Sequence, residues 1–290
     1  VMELNESVKG FAQLGGDEIK VNGYAGVIKP LNRATLAIWI ILPVLAVLTV
    51  YALVTMEDQS VNVVQGFADT FANFKTMFLH PFSHRFSLWE AFYQVLITLG
   101  LAFLTTLMGS IIALFLGLLA AQNLAAKEIT TIIKGFVALI RAVPTVLWVL
   151  IFAVAAGLGS AAAVIGMTFH SVSYLTKAYS ESFEDLDKSV IEALKASGAN
   201  WWQIVFQAVL PSSMTYLLSW TFLRFEMNFA NAVAMGAAAG AAGIGFDLFM
   251  ASGFYFDLRE VGLITYYILA FAIILETFST RLKGKLQKNA

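Results

Sequence analysis

Apolar residues run in blocks along this chain, and the blocks are longer than a soluble core requires. Residues 34–55 carry no charged side chain. A helix needs ~20 such residues to cross a hydrocarbon layer of ~30 Å, and Pro43 inside the run is tolerable in a membrane helix. Further runs at 91–121, 135–158, 161–179, 205–235 and 261–280 bring the expected spans to about six. The pattern predicts an all-α integral membrane protein, because buried backbone in lipid must satisfy its hydrogen bonds within each span.

Between the first two runs the periodicity changes. Phe67, Phe71, Phe74 and Phe78 recur at steps of four, three and four, with Asp69, Asn73 and Lys75 off that line. This is the signature of an amphipathic helix lying at a membrane interface, and Pro81 ends it. His80, His84 and Arg85 follow and read as a solvated loop.

A structured polar stretch, residues 192–211, interrupts the apolar blocks. Glu192 to Ser197 favour a helix, and Gly198 is suited to ending it in the left-handed conformation. Asn200 with Gln203 three residues on predicts a capping box that opens a second helix, and Pro211 follows where the apolar run has resumed. The expectation is a compact helix–corner–helix bracket between two spans.

Charge gives the topology. Of the 18 Lys and Arg, an arrangement of six spans with both ends inside leaves thirteen on the cytoplasmic side, three outside and two within spans. That asymmetry follows the positive-inside rule and puts the bracket in the cytoplasm. The organisation is then a cytoplasmic tail (1–30), a first span (31–56), an external segment (57–90), a five-helix core (91–282) with its cytoplasmic loop at 183–204, and a basic tail (283–290).

Composition excludes several functions. At 59% hydrophobic and 13% charged the chain of 290 residues is far too apolar for a soluble domain, and a net charge of -1 argues against nucleic-acid binding. There is no cysteine, and the three histidines are scattered, so neither a metal centre nor a thiol nucleophile is legible. No Gly-x-x-x-x-Gly-Lys-Ser/Thr loop is present, so the chain does not itself bind and hydrolyse ATP, and no catalytic constellation emerges.

Ionisable residues inside spans are costly, ~2.5–3.5 kcal/mol each on insertion scales, which singles out Arg141, Arg224 and Glu226. Arg224 and Asn228 share a helix face, while Glu226 points elsewhere. The expectation is an ion pair of Glu226 with Arg141, leaving Arg224 and Asn228 to line a pathway; a purely structural network is the alternative. His170 beside Ser171 reads as a packing histidine or a pathway group. Small residues at Gly109 and Gly117, and Gly236, Gly240, Gly243 and Gly245, suit close helix packing or, for the last four, a hinge near an outer gate.

Glu192, Ala193, Gly198, Leu210 and Pro211 stand at the spacing of the "EAA" loop in membrane subunits of bacterial ATP-binding-cassette importers, which they resemble. Leu194 replaces the second Ala of that motif and Ala208 its Ile. Arg224-Phe-Glu-Met-Asn228, Gly157-Leu-Gly159, Phe169-His170 and Gly243-Ile-Gly245 further resemble the permease subunit of bacterial phosphonate importers. Ala230 stands where that family usually carries Arg.

The resemblance implies a type I importer (MetI-like) fold and a homodimer in the cytoplasmic membrane. It also implies two partner ATPase subunits that hold ATP and Mg, and an external solute-binding protein. Glu192, Ala193, Leu194 and Lys195 would then form a coupling helix, with a phosphorus oxyanion as cargo. Permeases for glycine betaine or methionine share the bracket, and an ion-coupled secondary transporter is the competing class.

Overall fold

The computed structural model describes residues 20–21, 24–25, 33–55 and 63–288. The chain separates into two units, residues 1–66 and 67–290.

In the first unit a two-residue antiparallel pair sets β1 (Lys20–Val21) against β2 (Tyr24–Ala25). Helix α1, Arg33–Thr55, follows. Large apolar side chains on every side of it, among them Leu36, Trp39, Leu42, Val47, Tyr51 and Val54, are exposed, as a helix surrounded by lipid requires. The rest of the expected cytoplasmic tail, and residues 56–62 of the external segment, lie outside the described residues.

Helix α2, Val63–Leu79, presents Phe67, Phe71 and Phe74 as exposed side chains on one line. In the second unit its C-terminal end is fastened to α10, Leu258–Lys288. The Tyr266 hydroxyl donates to the Phe78 carbonyl at 2.6 Å, and a Cβ at Gly262 would run into the Met77 carbonyl. α10 continues through the expected basic tail as far as Lys288, so that tail is the end of a helix, where its cations also suit the helix dipole.

The core is built around α6, Ser160–Glu184, which packs on α3 (Leu88–Ala120), α4 (Lys127–Ala142), α5 (Thr145–Ala156) and α8 (Trp201–Ala239). Small residues set the separations. A Cβ at Gly109 would lie 2.7 Å from the Ser171 Cβ, one at Gly117 3.0 Å from the Tyr179 Cβ, and one at Gly166 2.6 Å from the Val149 Cα. Backbones that approach so closely gain dispersion contact where lipid offers no hydrophobic drive.

Among the described residues three helices are long and apolar enough to cross a membrane alone, α1, α3 and α10, and the number rises to as many as five if two bent pairs each count as one span. α6 has 25 residues but carries His170, Ser171, Ser173 and Thr176, and the last three are buried against neighbouring helices.

The third expected span, 135–158, is not one straight helix. α4 begins earlier, at Lys127, and meets α5 at 91°. Pro144 has no N–H to continue the ladder and forces Val143 out of the helical region, to φ -97 and ψ 126.

The fifth span, by contrast, is longer than expected. α8 runs from Trp201 to Ala239, with a wide turn at Val205–Val209 just before Pro211. That turn relieves the clash between the proline ring and the preceding turn of helix, so the chain passes Pro211 without breaking. α9, Ile244–Phe254, then folds back at 52°.

Candidate functional site

Two places concentrate polar chemistry, the bracket between α6 and α8 and a buried polar knot where α3, α6 and α8 meet.

The bracket opens with α7, Lys188–Ala196, capped by Asp187, whose carboxylate accepts from the Ser189 N–H at 2.9 Å. Bonding by the Ser189 backbone N–H, and then by its hydroxyl, holds the Asp187 carboxyl below the usual carboxylate range. Gly198 ends the helix at φ +85, and the Ala199 N–H donates to the Leu194 carbonyl at 3.0 Å. Asn200 and Gln203 then form a reciprocal capping box, with bonds of 2.9 and 2.7 Å.

Glu192, Ala193, Lys195 and Gly198 are exposed. Leu194, expected among the docking residues, packs instead on the chain's own core, together with Leu210. Pro211, the last residue of the motif, is exposed in the first turn after the wide turn. The bracket is fixed to the bundle by residues the sequence reading did not single out. Ile191 and Ile204 bury themselves beside Leu118, Ala121 and Phe183, and the Trp201 indole donates to the Leu124 carbonyl at 3.0 Å. The i-to-i+3 offset of Ile191 from Leu194 was the available signal.

The polar knot centres on the Ser171 hydroxyl. It donates to the Met167 carbonyl at 2.7 Å and accepts from Arg224 Nε at 3.0 Å and Asn228 Nδ2 at 2.9 Å, which fills its capacity. Asn228 Nδ2 also reaches Thr106 Oγ1 at 2.9 Å and Thr105 Oγ1 at 3.3 Å. Both threonines spend their own protons on α3 carbonyls, which leaves their lone pairs free to accept. The adjacent Thr105 and Thr106 inside an apolar span were the signal for this role.

Arg224 and Asn228 are both 0% exposed. In this conformation they face the interior of the chain's own helix bundle and line no opening, because their face of α8 is the one that meets α3 and α6. Arg224 Nη2 lies 3.1 Å from His170 Nδ1, and its guanidinium sits 5.2 Å from the Tyr174 ring centroid. A guanidinium only donates, so His170 Nδ1 accepts and the ring proton is on Nε2. Arg224 Nη1 is buried and has no partner.

The expected ion pair of Arg141 with Glu226 is not formed. Among the described residues the ion pairs are those of Arg85, Lys134 and Lys177, and Glu226 is half-buried without a partner. Arg141 instead sits at an exposed position on α4, beside α6. A two-residue offset on α8 places Glu226 away from the face that packs inward, and sequence spacing alone does not say which helix lies opposite.

Arg85 lies in the exposed loop before α3, as expected, but it is fastened there. Its Nη1 is 2.8 Å from Glu260 Oε2, a carboxylate only 3% exposed, and its guanidinium lies 3.8 Å from the Tyr255 ring centroid. It therefore ties the start of α3 to the start of α10.

The glycines fall into two kinds. A Cβ at Gly236 would strike the Phe246 backbone nitrogen, and one at Gly245 the Val233 carbonyl, so these two let α9 fold against α8. Gly240, expected to pack in the same way, meets nothing within 4 Å and serves by its backbone, at φ +64, as the left-handed end of α8. The short loop after it is tied down rather than free. The Ala242 N–H donates to Ser160 Oγ and the Ile244 N–H to Thr98 Oγ1, each at 3.0 Å, and Gly243 sits against Thr98.

Comparison with known proteins finds relatives in sequence and in fold. The chain is 28% identical over 178 residues to the phosphate-import permease PhnE of Mycolicibacterium smegmatis, covering 61% of this chain and 33% of that one. It is 31% identical over 183 residues to the phosphite transport system permease PtxC of Stutzerimonas stutzeri, covering 63% and 66%. The chain thus spans between a third and two thirds of the length of these relatives.

Among solved structures, a chain of the MetNI methionine ABC transporter in an inward-facing conformation superposes with a TM-score of 0.62. Identity there is 20%, over 69% of this chain and 97% of that one, and the likeness shows the same fold. The model of the family of binding-protein-dependent transport system inner membrane components matches residues 113–287, more than half of the chain. From the bracket to the last helix the match takes in every element described above, and the chain belongs to that family.

Proposed function

We propose that this chain is the permease subunit of an ATP-binding-cassette importer whose cargo is a phosphorus oxyanion such as a phosphonate, phosphite or phosphate. Two copies form the pathway between them, both termini are cytoplasmic, and an external solute-binding protein delivers the cargo. Two separate ATPase subunits bind ATP and Mg and supply the energy.

The observation that carries the reading is the bracket. Its short helix is anchored from behind by Ile191, Ile204 and Trp201 and offers Glu192, Ala193 and Lys195 outward. A rigid, protruding helix joined directly to α6 and α8 transmits a push from a partner to those spans, which is what an importer needs of a coupling element. The cargo class draws on the phosphate and phosphite permeases it resembles and on the Arg224 guanidinium, whose unpaired Nη1 holds N–H groups that an oxyanion accepts from once the spans move apart.

The test is co-expression with the candidate ATPase and solute-binding protein, reconstitution, and uptake of labelled methylphosphonate, phosphite and phosphate. ATP-dependent uptake of at least one of the three is expected. Uptake that persists without any ATPase, driven by an ion gradient, would overturn the reading.

A further inference from the structure

The hydrogen-bonded groups of the polar knot are not buried alike. Arg224, Asn228, Ser171 and Thr105 are 0% exposed and Thr106 is 3% exposed, whereas His170 is half-buried. The guanidinium and the Asn228 amide stay behind the packed surface, and the imidazole reaches it.

The two ring nitrogens have different surroundings. Nδ1 lies 3.1 Å from Arg224 Nη2 and accepts from it, which leaves the ring neutral with its proton on Nε2. Nε2 has no partner among the described residues, and unlike Arg224 Nη1 it is not sealed from the surface. This turn of α6 is held on both sides. The Phe169 ring meets Trp148 at 4.8 Å and Phe152 at 5.7 Å between centroids, while Ser171 takes the Arg224 Nε proton and the Tyr174 ring lies 5.2 Å from the guanidinium. A buried cation therefore donates to the back of a fixed ring whose other edge offers an N–H outward. Donation to Nδ1 polarises the ring and strengthens that outer N–H as a donor.

We infer that the His170 Nε2–H is the group through which the knot meets its oxyanion cargo, and that Arg224 acts in this conformation as a positioning residue that sets the tautomer of the ring. The inference rests on the permease reading above and adds a cargo contact to it. An ionised phosphoryl or phosphonyl oxygen only accepts hydrogen bonds, so it matches an outward N–H with a guanidinium behind it. An ammonium group finds no acceptor on this edge of the ring, because the one lone pair of the imidazole is spent on Arg224.

The experiment uses the full chain in lipid nanodiscs, with the exposed residues His80 and His84 replaced by Gln so that His170 is the sole histidine. Nitrogen-15 resonances of labelled histidine read the tautomer directly, and a proton on Nε2 with none on Nδ1 is expected. Titration with inorganic phosphate or methylphosphonate, at an ionic strength held constant with chloride, is expected to move the Nε2 resonance to saturation. Arg224→Leu is expected to let the two tautomers mix, and Arg224→Lys, which still donates, to keep that of the parent; a fixed Nε2 proton in Arg224→Leu contradicts the positioning role. By calorimetry His170→Phe is expected to weaken phosphate binding by roughly ten-fold or more, the loss of one charge-assisted hydrogen bond, and His170→Gln, which keeps an N–H, by less. The spectra leave position 170 unchanged, so they decide the matter should His170→Phe not fold. A proton on Nδ1, or an Nε2 resonance that neither anion moves, overturns the inference. ATP-dependent uptake of either anion by the assembled complex would then leave the permease reading standing without it.

Discussion

Asn228 on α8 donates to Ser171 on α6 at 2.9 Å, and the same Ser171 oxygen takes the Arg224 Nε proton at 3.0 Å. One hydroxyl therefore joins two polar residues a helical turn apart to the central helix of the bundle, and Asn228 carries the link on to Thr105 and Thr106 of α3. Three helices are held at one point by side chains that lipid could not satisfy.

Replacing Asn228 by Leu removes the donor that Ser171, Thr105 and Thr106 share. Interhelical hydrogen bonds in membranes are worth about 0.6–2 kcal/mol each, and their partners here also keep bonds to their own helices. Asn228→Leu is expected to lower stability by about 1–2 kcal/mol. Reversible unfolding in mixed micelles measures it, and an unchanged unfolding midpoint would remove the knot's structural role.

The two kinds of glycine separate by substitution. Gly245→Ala drives a methyl into the Val233 carbonyl, so overpacking of about 1–3 kcal/mol is expected. Gly240→Ala meets no atom and pays only for its left-handed backbone, about 1 kcal/mol. Gly135→Ala, with open space on an α4 surface, is the control and should be neutral or slightly stabilising. Thermal unfolding of the three variants should rank them in that order.

Much of this was legible from sequence, for reasons that differ by element. The runs at 34–55 and 91–121 declare themselves because lipid tolerates no charge, and they appear as α1 and α3. The bracket is legible because capping is local: Gly198, Asn200 and Gln203 interact within six residues. Partners across the fold were not readable. Arg85 meets Glu260, 175 positions away, and Arg141 fails to meet Glu226, because spacing gives a helix face but not the neighbour behind it. Nor does sequence tell Gly236, which needs room, from Gly240, which needs a positive φ.

Asp187 gives the bracket a pH dependence of known sign. Its carboxyl is held below the usual range, so its contribution to capping α7 is present above the unfolded value and is lost as pH falls through the lower folded value. Amide exchange at Ser189 and Val190 should therefore speed up on acidification, beyond the intrinsic rate. Asp187→Asn, which still caps but does not titrate, should abolish that dependence. Equal acid sensitivity in the two proteins would show that another group is responsible.

The proposed coupling through the bracket is tested most directly by Gly198→Pro in a reconstituted complex of this chain with the proposed ATPase and solute-binding protein. Gly198 sits at φ +85 and its N–H donates to the Lys195 carbonyl at 3.0 Å. Proline fixes φ near −65° and has no N–H, so the corner that aims α7 is lost while the α3, α6 and α8 contacts stay in place. Substrate-stimulated ATP hydrolysis and uptake are predicted to fall by roughly ten-fold or more, a coupling loss of about 1.4 kcal/mol, with the assembled complex still isolable. Uptake at the parent rate in Gly198→Pro would contradict the coupling role of the bracket.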